Sequence, residues 1–178
     1  MARKKHTPND PERRQRILQA TIALLQEGGV TAISARAVAT EADVPVGSVS
    51  YHFDSVRSLL LEAAHSVIEL RDRALHEWSQ RLSKETIAQN LAEMIHTQIT
   101  TGRPLTIIAY ELYLLGLRDA DFRRLSVEAT SVLSRKLAAH VSDAEAWRLA
   151  ALADGVQMHS LFLPTTPSLD ELVQALAD

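Results

Sequence analysis

The stretch "ADVPVGSVSYHF" (residues 42–53) decides how this chain is read. It places Pro45 where a helix can start, follows it with small residues, and ends on the cluster Tyr51-His52-Phe53. Such a run is too short to build a core of its own. Just upstream, Ser34 is placed to cap a short Ala-rich helix, about Ala35 to Ala42, and Asp43-Val44 fits a tight turn. Two short helices across such a turn, supported by the helix before them, make a helix-turn-helix unit. In such units the second helix enters the major groove of double-stranded DNA, and its leading residues meet base edges. The backbone must then come close to the duplex, which demands slim side chains, and Pro45, Val46, Gly47, Ser48 and Ser50 satisfy that demand. Val44 and Val49 are expected to point inward, and Phe53 to lock the helix to its neighbours. Tyr51 and His52, at the far end, can donate to phosphate oxygens.

Further upstream, Asp10-Pro11-Glu12 reads as a helix start, with a capping carboxylate and Pro at the first helical position. Ile17, Thr21, Leu24 and Leu25 then form an apolar stripe, and Gly28-Gly29 ends that helix. Charge is unevenly spread. Residues 1–57 carry eight Lys or Arg against six Asp or Glu, while residues 58–178 carry eleven against sixteen, giving the net −3. Arg3, Lys4, Lys5, Arg13, Arg14 and Arg16 all fall in the first sixteen residues, so a basic arm precedes a mildly acidic body. That asymmetry suggests a polyanion at the arm's end.

Composition places the remainder in the all-α class. Only 6 Gly and 6 Pro occur in 178 residues, and no run of alternating β-branched residues appears. No cysteine is present, the basic N-terminus lacks the apolar segment of a signal peptide, and no apolar run is long enough to span a bilayer. A cytoplasmic protein without membrane attachment is expected. After residue 54, Asp54 or Ser55 is placed to cap a long helix to about Gln80. Five further helices follow: Ser83 to Thr101, Pro104 to Gly116, Asp119 to His140, a Ser142–Glu145 capping box leading to Pro164, and a Ser168–Glu171 box opening a short last helix. About nine helices are expected, in a helix-turn-helix domain over 1–54 and a helical regulatory and dimerisation domain over 55–178. Within residues 144–164, Ala146, Leu149, Ala150, Ala153, Val156 and Leu161 suggest a two-fold interface, with Gly155 permitting close backbone approach.

The segment from Gly28 to Leu60 resembles the DNA-binding region of the tetracycline-repressor (TetR-like) family. The resemblance rests on Gly28-Gly29, Val38-Ala39, Ala42-x-Val44, Gly47-x-Val49, Tyr51-His52-Phe53, Ser55 and Leu59-Leu60. Beyond residue 60 the likeness is one of plan only. Three positions depart from the pattern: the turn glycine is Asp43, the usual Tyr position is Ser50 with Tyr51 one place later, and the usual Lys at the fourth helix is Val56. Asp tolerates the left-handed backbone that the turn requires, and Arg57 is expected to take over the phosphate contact. The resemblance implies a homodimeric transcriptional regulator on an inverted-repeat operator, repressing by default, with activation possible. Its DNA-contacting set would be Ser34, Ala35, Arg36, Pro45, Val46, Gly47, Ser48, Ser50, Tyr51, His52 and Arg57. It further implies a small-molecule effector bound among the later helices. There His96, Gln98, Tyr110, Glu111, Tyr113, Gln157 and His159 interrupt apolar segments and are candidates to contact it.

Two other readings compete. Glu62-x-x-His65 and Glu93-x-x-His96, with Glu111 and Glu128, could supply the ligands of a di-iron oxidase in a helical bundle. Against it, Glu62, His65, Glu69, Asp72 and His76 form one continuous polar stripe, as on a solvated helix face. A helical adaptor that does not bind DNA would leave residues 42–53 and the basic arm unexplained. No nucleophile with a base, phosphate-binding loop or zinc motif is present. Neither an enzymatic activity, nor a cofactor, nor a resident metal is expected.

Overall fold

The computed structural model describes residues 12–177, and among these it contains nine α-helices and no strand. They are α1 (Arg13–Gly28), α2 (Ala35–Glu41), α3 (Val46–His52), α4 (Val56–Ser79), α5 (Ile87–Ile99), α6 (Arg103–Leu114), α7 (Ala120–Leu137), α8 (Asp143–Phe162) and α9 (Leu169–Ala177). The all-α expectation holds. The chain divides into two compact units, Met1–Ala63 and Ala64–Asp178.

In the first unit, α1, α2 and α3 pack against one another. Helix α1 buries Ile17, Ala20, Thr21 and Leu25, so Ala20 takes the inner place expected of Leu24, which is half-buried. The Thr21 hydroxyl is satisfied by donating back to the Ile17 carbonyl at 2.8 Å. The expected helix start at Asp10-Pro11 lies outside the described residues, as do Arg3, Lys4 and Lys5 of the basic arm. Gly29, at φ 67°, ends α1 and returns its N–H to the Leu25 carbonyl. Ser34 caps α2, its Oγ accepting the Ala37 N–H at 3.1 Å.

The turn between α2 and α3 carries the departure from the TetR-like pattern. Asp43 sits at φ 51°, the one non-glycine residue with positive φ among those described. A left-handed conformation costs most L-residues roughly 1–2 kcal/mol, and Asp is among the few that visit it routinely. The turn is pinned by the Val44 N–H on the Ala39 carbonyl at 2.9 Å. Val44, Val49 and Phe53 are buried, as their apolar character requires. The Arg14 guanidinium lies 4.9 Å above the Phe53 ring and also pairs with Glu62. Helix α4 opens on Ser55, which exchanges two 3.0 Å hydrogen bonds with Ser58.

In the second unit α5, α8 and α9 pack around one core that includes Trp78, Leu91, Ile95, Leu137, Ala153 and Leu176. Each large apolar side chain so buried contributes roughly 1.5–3 kcal/mol. Trp78 places its indole N–H on the Asn90 carbonyl at 3.2 Å, so its burial leaves no orphaned donor. Of the two expected capping boxes, Ser168–Glu171 is complete, with each side chain meeting the other's backbone N–H. At Ser142–Glu145 only half forms. Ser142 Oγ accepts the Glu145 N–H, but the Glu145 carboxylate is held by the Arg148 guanidinium at 2.9 and 3.0 Å.

The face of α8 expected to meet a second copy requires correction. Ala146, Leu149, Ala150 and Ala153 are buried in the chain's own core, with Val156 and Leu161 partly buried beside them. The open side of α8 instead presents Trp147 (71% exposed), Ala151, Gly155 and Phe162 (83% exposed). Helix α8 is apolar on both sides, so periodicity alone could not say which side faces inward.

Candidate nucleic-acid surface and ligand cavity

The outward surface of α3 differs from an ordinary polar helix face. Pro45, at φ −61° and ψ 143°, starts the helix, and the Ser48 N–H closes its first turn on the Pro45 carbonyl at 2.8 Å. Pro45, Gly47 and Ser50 are exposed, Val46 is 48% exposed and Tyr51 85% exposed, while Ser48 and His52 are half-buried. The Tyr51 and His52 rings meet edge-on, with centroids 5.1 Å apart. A Cβ added at Gly47 would meet nothing within 4 Å, so the packing of this unit does not require glycine there. On α2, Arg36 is exposed, Ala35 is half-buried and Ser34 is engaged in its cap, while Arg57 is exposed in the first turn of α4.

The second unit carries a partly open cavity of about 370 Å³, within the range of small-molecule sites. Most of its wall is apolar, including Val67, Ile68, Leu112 and Leu133; its polar members are Arg71, Gln98, Tyr113, Asp154 and Gln157 with the hydroxyls of Thr130, Ser131 and Ser134. Three of these carry an orphaned atom. Among the described residues, Arg71 Nη1, Gln98 Oε1 and Gln157 Nε2 are buried without a hydrogen-bond partner. A native fold leaves few such groups, and each costs free energy until something meets it. A more open hollow of about 650 Å³ adjoins this cavity and shares Arg71, Leu75, Met94 and Gln98 with it.

Asp154 is held differently. Tyr110 donates to its Oδ1 at 2.9 Å, and Tyr113 reaches the same oxygen at 3.5 Å, with the two phenol rings 5.1 Å apart. Burial is the main reason both phenols titrate far above their ordinary range. The Tyr110 phenol is raised further by Tyr113 and then Asp154, and Tyr113 by Asp154, with Arg71 acting against it. Both therefore remain protonated donors at neutral pH.

Of the residues expected to meet an effector, the structure brings Gln98, Tyr113 and Gln157 to the cavity wall and Tyr110 one hydrogen bond behind it. His96, Glu111 and His159 do not line either hollow. The cavity wall also includes Arg71 and Asp154, which the sequence did not single out. Arg71 shares a helical face with Val67, Ala74 and Trp78, and a charge inside an apolar stripe is itself a signal of a polar interior.

Three residues of the di-iron reading have side-chain partners at the surface. Glu62 pairs with Arg14, His65 lies 3.3 Å from Glu69, and Glu93 accepts from Gln89 at 2.9 Å. Among the described residues no three His, Cys, Asp or Glu side chains are grouped so as to hold a metal ion. No described helix is long and apolar enough to cross a membrane.

Sequence and structure comparisons agree with this architecture. The profile of "Bacterial regulatory proteins, tetR family" matches residues 17–63, and that of "Tetracyclin repressor-like, C-terminal domain" matches residues 82–178. The chain belongs to the TetR family of helix-turn-helix transcriptional regulators. It is similar to the HTH-type transcriptional regulator PksA of Bacillus subtilis (strain 168), being 28% identical over 182 residues, 93% of this chain and 86% of that one. It is also similar to the transcriptional regulator SCO7518 of Streptomyces coelicolor A3(2), whose crystal structure superposes with a TM-score of 0.84 at 28% identity, covering 94% of this chain and 97% of the other. The multidrug binding protein EbrR in complex with ethidium superposes at 0.82 with 30% identity, over 95% and 98% of the two chains. Further EbrR structures hold malachite green and proflavin.

Proposed function

We propose that this regulator is a cytoplasmic homodimer that binds an inverted-repeat operator through α3 and releases it when a small molecule occupies the cavity of the second unit. Repression is its default output. The observation that carries the DNA reading is the outer surface of α3. An exposed valine, a glycine that the unit's own packing does not need, slim serines and a fully presented tyrosine stand on a helix whose other side is buried. Such a surface is shaped for something outside the protomer, and a groove-entering helix needs that shape.

In this reading residues 1–54 read DNA and residues 55–178 respond and dimerise. Pro45, Val46, Gly47, Ser48 and Ser50 face base edges, Arg36 reaches a base or a phosphate from α2, and Tyr51, His52 and Arg57 contact phosphates. Ser34 and Ala35 set the start of α2 against the backbone. The open side of α8, with Trp147, Ala151, Gly155 and Phe162, meets the same side of a second copy, since exposed aromatics flanking small residues suit close helix contact. A two-fold dimer presents two copies of α3 to successive major grooves, which fixes the inverted repeat. The effector acts through unequal affinity for DNA-competent and DNA-incompetent states. EbrR, a relative of similar architecture, is a multidrug binding protein, which supports a ligand in this cavity.

Selection of bound genomic DNA with the purified dimer yields the operator. On that operator, gel-shift titration of Arg36→Ala, Ser48→Ala and Tyr51→Ala is expected to show weaker binding with helix content unchanged. A bidentate arginine–guanine contact alone is worth roughly 1–3 kcal/mol. Removal of residues 1–9 is expected to weaken binding to all sequences alike and to flatten the salt dependence. Wild-type affinity in all three point variants contradicts the reading.

A further inference from the structure

We propose that the ligand of this cavity is an organic anion, a carboxylate on an apolar body, with Arg71 as its counter-ion. The inference rests on the reading of the cavity as the effector site and adds the ligand's chemical class.

The wall carries one cation and one anion, and their situations differ. The Asp154 carboxylate already accepts the Tyr110 hydroxyl, with Tyr113 beside it, so its charge is met from within the protein. Arg71 Nη1 is buried and has no hydrogen-bond partner among the described residues. A guanidinium nitrogen out of water and unpaired is expensive, and a carboxylate presents the paired acceptor oxygens that its planar fork matches. The orphaned Gln157 Nε2 supplies a second donor, and Gln98 Oε1 is free to accept from a hydroxyl or amide on the ligand. Around these lie Val67, Ile68, Leu112 and Leu133, a lining suited to an aromatic ring or an aliphatic chain. Arg71 and Gln98 also line the adjoining hollow, so the charged end of the ligand sits where the two spaces meet and its apolar body extends into either. The preference is thus opposite in sign to the aromatic cations, ethidium and proflavin, held by EbrR.

The test uses the full chain and two matched pairs, 2-naphthoate with 2-naphthamide and octanoate with octanamide, together with proflavin, each titrated calorimetrically. At least one carboxylate is expected to bind ten-fold or more tightly than its amide. That preference should vanish in Arg71→Gln and return in part in Arg71→Lys, with thermal melts confirming that the variants fold. If neither carboxylate binds better than its amide, the proposal is overturned. If in addition proflavin binds and the binding is lost in Asp154→Asn, the cavity is a cation site and the effector reading survives without the anion. Operator affinity is measured separately with the bound carboxylate. Tight, Arg71-dependent binding that leaves operator affinity unchanged supports the anion site and refutes the effector reading.

Discussion

The two units of this chain keep their chemistry in opposite places. In the first, the unusual residues lie outside: Val46, Gly47 and Tyr51 stand on one short helix, over a core that is conventionally apolar. In the second, they lie inside: Arg71, Gln98, Asp154 and Gln157 line a cavity, and three of them carry an unpaired buried atom. A rigid partner with an extended surface must be met from outside, whereas a small molecule is recognised by surrounding it. The contrast also separates what a substitution does to stability from what it does to binding.

The largest effect is expected at Phe53, which is 4% exposed, closes α3 against the first unit and lies beneath Arg14. Phe53→Ala should cost about 3–5 kcal/mol. A unit of this size has little stability to spare, so urea denaturation should become biphasic, the first unit unfolding early while the second keeps its transition. A single shifted transition would show that the two units do not unfold independently. A smaller effect belongs to Gly155, exposed in the middle of α8 with open space where a Cβ would stand. Within one protomer, Gly155→Ala should gain about 1 kcal/mol of helix stability. If a second copy packs there, light scattering should nevertheless show a weaker dimer, and an unchanged or tighter dimer would place the interface elsewhere. The smallest effect is expected at His65, which is exposed and meets Glu69 at the surface. His65→Ala should change the melting free energy by no more than about 0.5 kcal/mol. A loss of several kcal/mol would revive a structural or metal-binding role for that stripe.

The same contrast explains what could be read in the sequence. The first unit was legible because its signals are local. Ser34 caps three residues ahead, Asp43 takes the left-handed turn beside the helix it serves, and Val44, Val49 and Phe53 turn inward over one short span. The helices of the second unit were legible for the same reason, as at the Ser168–Glu171 box. Its cavity was not. Arg71, Gln98, Tyr113, Asp154 and Gln157 come from four helices, and no spacing rule links them. Neither Arg71 nor Asp154 stands out in the sequence as a cavity residue, whereas His96 and His159 interrupt apolar segments yet line neither hollow, because periodicity locates a face without saying what stands opposite. Helix α8 is the plainest case: with apolar residues on both sides, it offered two faces to one core.

On the proposed function α3 is shaped for DNA and not for the protein's own packing, and Gly47 is the position where the two demands part. Since nothing lies within 4 Å of a Cβ built there, Gly47→Leu should leave the first unit as stable as before, or more stable by up to about 1 kcal/mol. Bulk at that position should hold the helix away from the groove. Operator affinity measured by gel shift beside a thermal melt is therefore expected to fall ten-fold or more with the melting temperature unchanged or raised. Wild-type operator affinity in a folded Gly47→Leu protein would contradict the account.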